Sequence, residues 1–139
     1  MKNLIYILIF LFSITFINQS KSADIIVNGS GLSGTYNTIS AGINAANPGD
    51  RILISNQSFP YQEDTIFIDK SVTLMPYNDV SHILFAGQLK IILDSISDLT
   101  IIGFKTDQGN IFSEFNDTSR NSLSTINIID SKFWDVHIH

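Results

Sequence analysis

The chain has 139 residues, with eight basic and 13 acidic side chains that give a net charge of −5. This length sets an upper limit of one domain. The acidic balance argues against nucleic acid and anionic membranes as partners, because both are polyanions. The chain contains no cysteine, which excludes disulfides, thiolate metal sites and cysteine nucleophiles.

The N-terminus is typical of a secretory signal peptide. Lys2 gives a basic start and residues 4–17 form an apolar run, in the order that a cleavable leader requires. Small residues follow at Ser20, Ser22 and Ala23. The alternative, a transmembrane helix, needs about 20 apolar residues, and the run is shorter. We therefore predict a signal peptide at residues 1–22, a secreted or cell-surface protein, and no stable membrane span after cleavage. Loss of Lys2 and Lys21 makes the net charge −7.

A short amphipathic helix is predicted near the start of the mature chain. Ile39, Ile43 and Ala46 recur at i, i+4 and i+7, which is one face of a helix. Asn37 or Thr38 can cap its start, and the Asn-Pro-Gly-Asp sequence that follows ends it. Its apolar face must pack on another apolar surface.

The sequence after this helix predicts short strands, because segments rich in β-branched residues alternate with polar or glycine-containing turns. The segments are 51–54, 64–68, 72–74, 89–93, 99–102 and 126–129. A doubly wound α/β fold needs a crossover helix after each strand, and no second long helical pattern occurs. An antiparallel sandwich or barrel is the alternative. Its hairpins typically contain Asn-Gly or Asp-Gly. Asn28-Gly29 lies before the strand region, and the connections between the predicted strands lack this signal.

Three of the strands begin at a constant interval. Val72, Leu99 and Ile126 each open an apolar–polar–apolar triplet, and the interval from position 72 to 99 equals that from 99 to 126. A repeat of about 20–50 residues indicates a solenoid. Further short strands between these positions imply corners within each turn, as a parallel β-helix requires. The helix is placed to cover the apolar end of such a column and its open strand edges.

Several segments carry a family resemblance. They are Gly-Ser-Gly at 29–31, Tyr-Asn-Thr-Ile at 36–39, residues 41–46, residues 48–54, residues 61–74 and residues 99–104. Together they resemble the N-terminal portion of the pectin lyase-like superfamily. The resemblance implies an all-β fold, a right-handed parallel β-helix (solenoid) with a short N-terminal capping helix. Residues 23–139 are then its N-terminal coils, and the domain is expected to be incomplete at the C-terminus.

The resemblance implies polysaccharide binding or processing but identifies no reaction. The family includes pectate lyases, pectin methylesterases, polygalacturonases and non-enzymatic surface proteins. The chain lacks Asn-Thr-Asp, paired Asp-Asp, Gly-His-Gly and Arg-x-Pro-x-x-Arg signatures, so no catalytic residue can be assigned by position. An enzyme would be a polysaccharide lyase, glycoside hydrolase or esterase. The alternatives are a non-enzymatic adhesive solenoid domain of a larger exported protein and a truncated remnant.

The C-terminus contains the candidate metal ligands Asp135, His137 and His139. Residues two apart on a strand face the same side, and imidazole and carboxylate groups bind divalent metals. An exposed strand end gives the same pattern without a metal. The strand-like alternation runs to this terminus without a polar cap, which predicts self-association through the C-terminal end. No cofactor is expected, although turn carboxylates could collect Ca²⁺.

Other polar and aromatic residues are weaker candidates. Carboxylates that could act in pairs on a glycosidic bond, or lie solvated in turns, are Asp94, Asp98, Asp107, Glu114 and Asp117. The last three fall in a predicted loop over residues 106–124. Tyr61, Glu63 and Asp64 either contact sugar or form a corner with Tyr61 half-buried. Trp134 is either a sugar platform or a core residue.

Overall fold

The computed structural model of the protein describes residues 21–78, 82–92, 96, 98–106, 110–114, 125–133 and 135–138. One helix, α1 (Ile39–Ala45), and ten strands lie in these ranges. The strands are β1 (Asp24–Val27), β2 (Arg51–Ile54), β3 (Tyr61–Ile68), β4 (Thr73–Pro76), β5 (Ile83–Ile92), β6 (Asp98–Ile102), β7 (Phe104–Lys105), β8 (Asn110–Glu114), β9 (Thr125–Ile129) and β10 (Asp135–Ile138). The apolar run of the predicted leader lies outside the described residues.

The strands form two parallel sheets, and successive turns of the chain contribute strands to both. One sheet has the order β1-β2-β4-β6-β9 and the other β3-β5-β8-β10, with β7 pairing β5. Every strand pair among the described residues is parallel. The molecule is therefore a parallel β-solenoid, as the sequence predicted, and the antiparallel alternative is wrong.

The register confirms the repeat. Thr73 lies opposite Thr100 and Leu99 opposite Ile126, so these two turns advance by the constant interval that the sequence predicted. Arg51 lies opposite Thr73, which makes the preceding turn shorter. The turns differ in length because their corners differ in length. The strands pair in the same parallel way in every turn.

The core is a column of inward-facing aliphatic side chains. Ile52, Leu74 and Ile101 occupy successive rungs of the first sheet, and Ile66 and Leu89 do so in the second. All five are fully buried. Burial of one such side chain stabilises the fold by about 1.5–3 kcal/mol, so the stacked rungs compensate for the absence of disulfides.

Helix α1 covers one end of this column, as predicted. Ile39 and Ile43 are fully buried, and the helix contacts β1, β2 and β3. Thr38 caps the N-terminus, where its Oγ1 accepts a hydrogen bond from the Ala41 N–H at 3.1 Å. Gly42 lies so close to the Val27 side chain of β1 that a Cβ at this position would overlap it. The helix therefore packs directly on the first rungs.

Several predicted element boundaries were wrong. The strand predicted at 64–68 begins earlier, as β3 (Tyr61–Ile68). The loop predicted over residues 106–124 contains β8, and the strand predicted at 89–93 belongs to the longer β5. Gly87 interrupts the apolar alternation in the middle of β5, so the sequence pattern marks only the second half of that strand. Strand β8 is short, and tertiary pairing with β5 and β10 stabilises it.

Candidate functional site

A β-bulge shapes the outer face of the second sheet. In β3, Tyr61 points inward, and Ile66 is the next fully buried residue. Strict alternation cannot place both an odd and an even position inside. The register with β5 accordingly shifts between Glu63 and Thr65, which leaves Asp64 as the extra residue. Bulges redirect side chains in this way.

Gly87 makes the bulge possible. It lies opposite Glu63 with φ of 141°, a left-handed region that favours glycine. A Cβ at this position would overlap the Glu63 carbonyl oxygen. The strand pair therefore closes around the extra residue only because position 87 has no side chain.

The bulge borders an open depression of about 720 Å³. Its lining residues are Gln62, Glu63, Asp64, Thr65, Ala86, Gly87 and Gln88. The Gln62, Asp64 and Gln88 side chains are exposed. Amides donate and accept hydrogen bonds and a carboxylate accepts them, so the depression presents both kinds of partner to a polar ligand.

An aromatic residue lies on the same outer face. Phe67 follows Thr65 by two positions, so both point outward, and the Phe67 side chain is 51% exposed. Lys90 lies opposite Phe67, and its Nζ is 5.8 Å from the ring centroid, within the range of a cation–π contact. The face thus combines an apolar ring, a cation and the polar depression along two adjacent strands.

Glu63 caps helix α1. Its Oε1 accepts a hydrogen bond from the Ile39 N–H at 2.7 Å, and its Oε2 accepts one from the Ser40 N–H at 3.0 Å. These amides are two of the donors that a helix start leaves without intrahelical partners. The carboxylate is therefore committed to the fold, and its role as a sugar contact, left open by the sequence, is not favoured.

Tyr61 is the first residue of strand β3, so the predicted corner is wrong, and its side chain is buried rather than half-buried, with 4% exposure. Its hydroxyl donates to the Ser55 carbonyl oxygen at 2.9 Å and accepts from the Gly29 N–H at 3.4 Å. Burial raises the pKa of this hydroxyl above its usual value, and the negative charge of Glu63 acts in the same direction. Of the three predicted sugar contacts, Asp64 alone faces the depression as an exposed side chain.

Asp50 was not singled out in the sequence. It is only 4% exposed, and its carboxylate accepts hydrogen bonds from the Ala23 and Asn47 N–H groups, both at 2.8 Å. These bonds hold the pKa of Asp50 below its usual value. Its position in the turn after the helix is the signal that identifies it, because a buried turn carboxylate must satisfy backbone donors. It joins the first strand to the corner that follows α1.

Two of the three predicted metal ligands, Asp135 and His137, lie on the last described strand of the second sheet. The register places Asp135 opposite Asn110 and His137 opposite Phe112. The structure describes only the backbone at these four positions, and His139 lies outside the described residues. No group of three His, Cys, Asp or Glu side chains able to hold a metal is found in the described part of the chain. The metal site stays a prediction.

Of the carboxylates that the sequence offered as pairs, the structure describes the side chain of Asp98 alone, so the pairs stay a prediction. Asp98 is exposed, its N–H donates to the Ser71 Oγ at 3.2 Å, and it lines a second, smaller depression of about 350 Å³. Candidates outside the described residues are Asp94, Asp107, Asp117 and Trp134. Glu114 is described by its backbone alone.

The outer face of the first sheet carries an aliphatic column. Ile26, Leu53 and Met75 lie opposite one another on successive strands, and Ile102 lies opposite Ile129 further along. The first four side chains are partly exposed and Ile129 is 49% exposed. The two outer faces therefore differ: the outer face of the first sheet is aliphatic, whereas that of the second sheet presents polar groups.

The fold and this surface define the protein as a parallel β-solenoid with a polar depression on one sheet. No protein-family model, curated protein or solved structure matches the chain. Among the described residues, no helix has the length and apolar character needed to cross a bilayer.

Proposed function

We propose that the protein is an exported right-handed β-solenoid of the pectin lyase-like type that binds polysaccharide on the outer face of its second sheet. The observation that carries this proposal is the depression at the bulge, where Gln62, Asp64 and Gln88 expose hydrogen-bonding groups. Sugars are recognised by such groups together with apolar surface, and the exposed ring of Phe67 provides that surface on the same face. The leader predicted from the sequence supports export.

Binding would be tested with the full chain on insoluble polysaccharides and by affinity electrophoresis in gels that contain soluble ones. The double variant Gln62→Ala/Gln88→Ala removes two amides. Each hydrogen bond contributes about 0.5–1.5 kcal/mol, so we expect binding to weaken by about tenfold or more.

A matched control removes two polar side chains from the first sheet. Thr73→Ala/Thr100→Ala alters the second depression and should leave polysaccharide binding unchanged. Loss of binding in this control, with retention in the glutamine variant, would move the site to the other face. Failure of the wild-type chain to bind any polysaccharide would contradict the proposal.

A second candidate function is an adhesive solenoid domain of a larger exported protein. The aliphatic column on the first sheet favours it, because contiguous exposed apolar surface is typical of protein interaction sites. Leu53→Thr/Ile102→Thr makes the column polar and introduces β-branched residues, which suit strands. If adhesion is the function, beads coated with this variant should attach to cells less than wild-type beads, and the glutamine variant should attach normally.

A further inference from the structure

We propose that the depression at the bulge selects an uncharged glycan and rejects polyuronates; this inference rests on the proposed function and narrows its ligand. It starts from the charges that line the site. The carboxylate of Asp64 and the amides of Gln62 and Gln88 are exposed at the depression. Glu63 is a further lining residue, and the lining within the described part of the chain contains no lysine or arginine.

The two carboxylates act differently on a ligand. Glu63 is hydrogen-bonded to two helix amides, which offset part of its charge through their dipoles. Asp64 is exposed and is the residue that the bulge adds to the strand. Its carboxylate accepts hydrogen bonds and cannot donate them. A sugar hydroxyl donates to it readily, whereas a uronate carboxylate has no proton to donate near neutral pH.

Charge repulsion opposes an acidic sugar in the same position. Two unit charges about 5 Å apart repel enough to weaken binding by a factor on the order of ten, between the limits of bulk water and a protein surface. The whole chain adds to this effect, because its net charge is −5. A neutral hydroxyl is not subject to this repulsion.

Lys90 is the cation nearest to the depression along β5, and it does not reverse the balance. It lies two positions beyond Gln88, about 7 Å along the strand, and its Nζ is positioned over the Phe67 ring. The ammonium group therefore lies beside the aromatic ring and is not one of the groups that line the depression. A uronate bound there would still have its neighbouring rings beside Asp64.

The test is isothermal titration calorimetry of the full chain with oligosaccharides of equal length. The neutral probes are glucose, mannose and galactose oligomers, and the acidic probe is oligogalacturonate. Measurements are made at low salt and at about 1 M salt, where the Debye length is about 3 Å. We expect at least one neutral probe to bind tenfold or more tightly than oligogalacturonate at low salt, with an affinity that salt does not change.

Asp64→Asn is the informative variant, and Asp69→Asn, which removes the same charge just beyond the end of β3, is its control. Asp64→Asn should strengthen oligogalacturonate binding several-fold at low salt, and Asp69→Asn should change it less. A neutral preference below tenfold, or equal effects of the two variants, would overturn the inference while the proposed function stands. Absence of binding to every probe would overturn both.

Discussion

The Glu63 carboxylate offers the sharpest test of the structure, because the same residue has a structural role here and a ligand-binding interpretation in the sequence. Glu63→Ala removes the acceptors at 2.7 and 3.0 Å from the Ile39 and Ser40 N–H groups. Ile39 is fully buried, so its amide has little access to replacement water. The substitution therefore leaves donors at the helix start without partners.

The expected cost follows from these two bonds. A hydrogen bond to a charged group contributes about 1.5–3 kcal/mol, and loss of a helix cap costs about 0.5–2 kcal/mol. Since one carboxylate makes both bonds and is partly exposed, we expect Glu63→Ala to lower the free energy of unfolding by about 2–4 kcal/mol. This corresponds to a fall in Tm of about 10 °C.

Urea unfolding followed by far-ultraviolet circular dichroism measures this loss directly. Asp64→Ala is the matched control: it removes the adjacent, exposed carboxylate and should change stability by less than about 0.5 kcal/mol. Glu63→Gln keeps one acceptor oxygen and should give an intermediate loss. If Glu63→Ala and Asp64→Ala are equally stable, the helix is not held by this residue and the assignment of the cap is wrong.

Three further predictions concern the bulge and the two buried titratable groups. Gly87→Ala should cost about 3 kcal/mol or more by the same assay, because of backbone strain and overlap with the Glu63 carbonyl; near wild-type stability would contradict the bulge. Because the pKa of Asp50 is lowered in the folded protein, its stabilisation is complete above about pH 4 and is lost as the pH falls through the folded-state pKa. Asp50→Asn should therefore be less stable at neutral pH and show a shallower acid dependence in urea titrations. Because the pKa of Tyr61 is raised, wild-type stability should fall as the pH rises above about 10, and Tyr61→Phe should lose this dependence; parallel alkaline profiles would refute it.

Much of the fold could be predicted because it is encoded in local patterns. The helix was predicted from the spacing of Ile39, Ile43 and Ala46. Its cap was predicted as Asn37 or Thr38, and the structure shows that it is Thr38. The constant spacing of Val72, Leu99 and Ile126 predicted parallel strands, because stacked rungs need equivalent inward residues at equivalent positions. These signals are periodic patterns in the sequence, and they can be recognised without knowing which strands pair in the folded protein.

The candidate site was predicted only in part. Asp64 was named, but Gln62 and Gln88 were not singled out with it as a site, since they come from different turns and neither stands out within its own strand. The switch from an odd inward residue at Tyr61 to an even one at Ile66 was the available sign of a bulge. Its partner, Gly87, instead hid the first half of β5 by interrupting the apolar alternation.

The amino-acid sequence by itself determined that this chain winds into a covered parallel column, because aliphatic periodicity and capping act over a few residues or at a constant interval. The tertiary structure decided what individual polar side chains do. Glu63 reaches two amides of the preceding turn, and the register sets Gln88 opposite Thr65. Longer and shorter turns can be told apart only once the strands pair, because corner length changes freely while the hydrogen-bonded rungs keep a constant spacing.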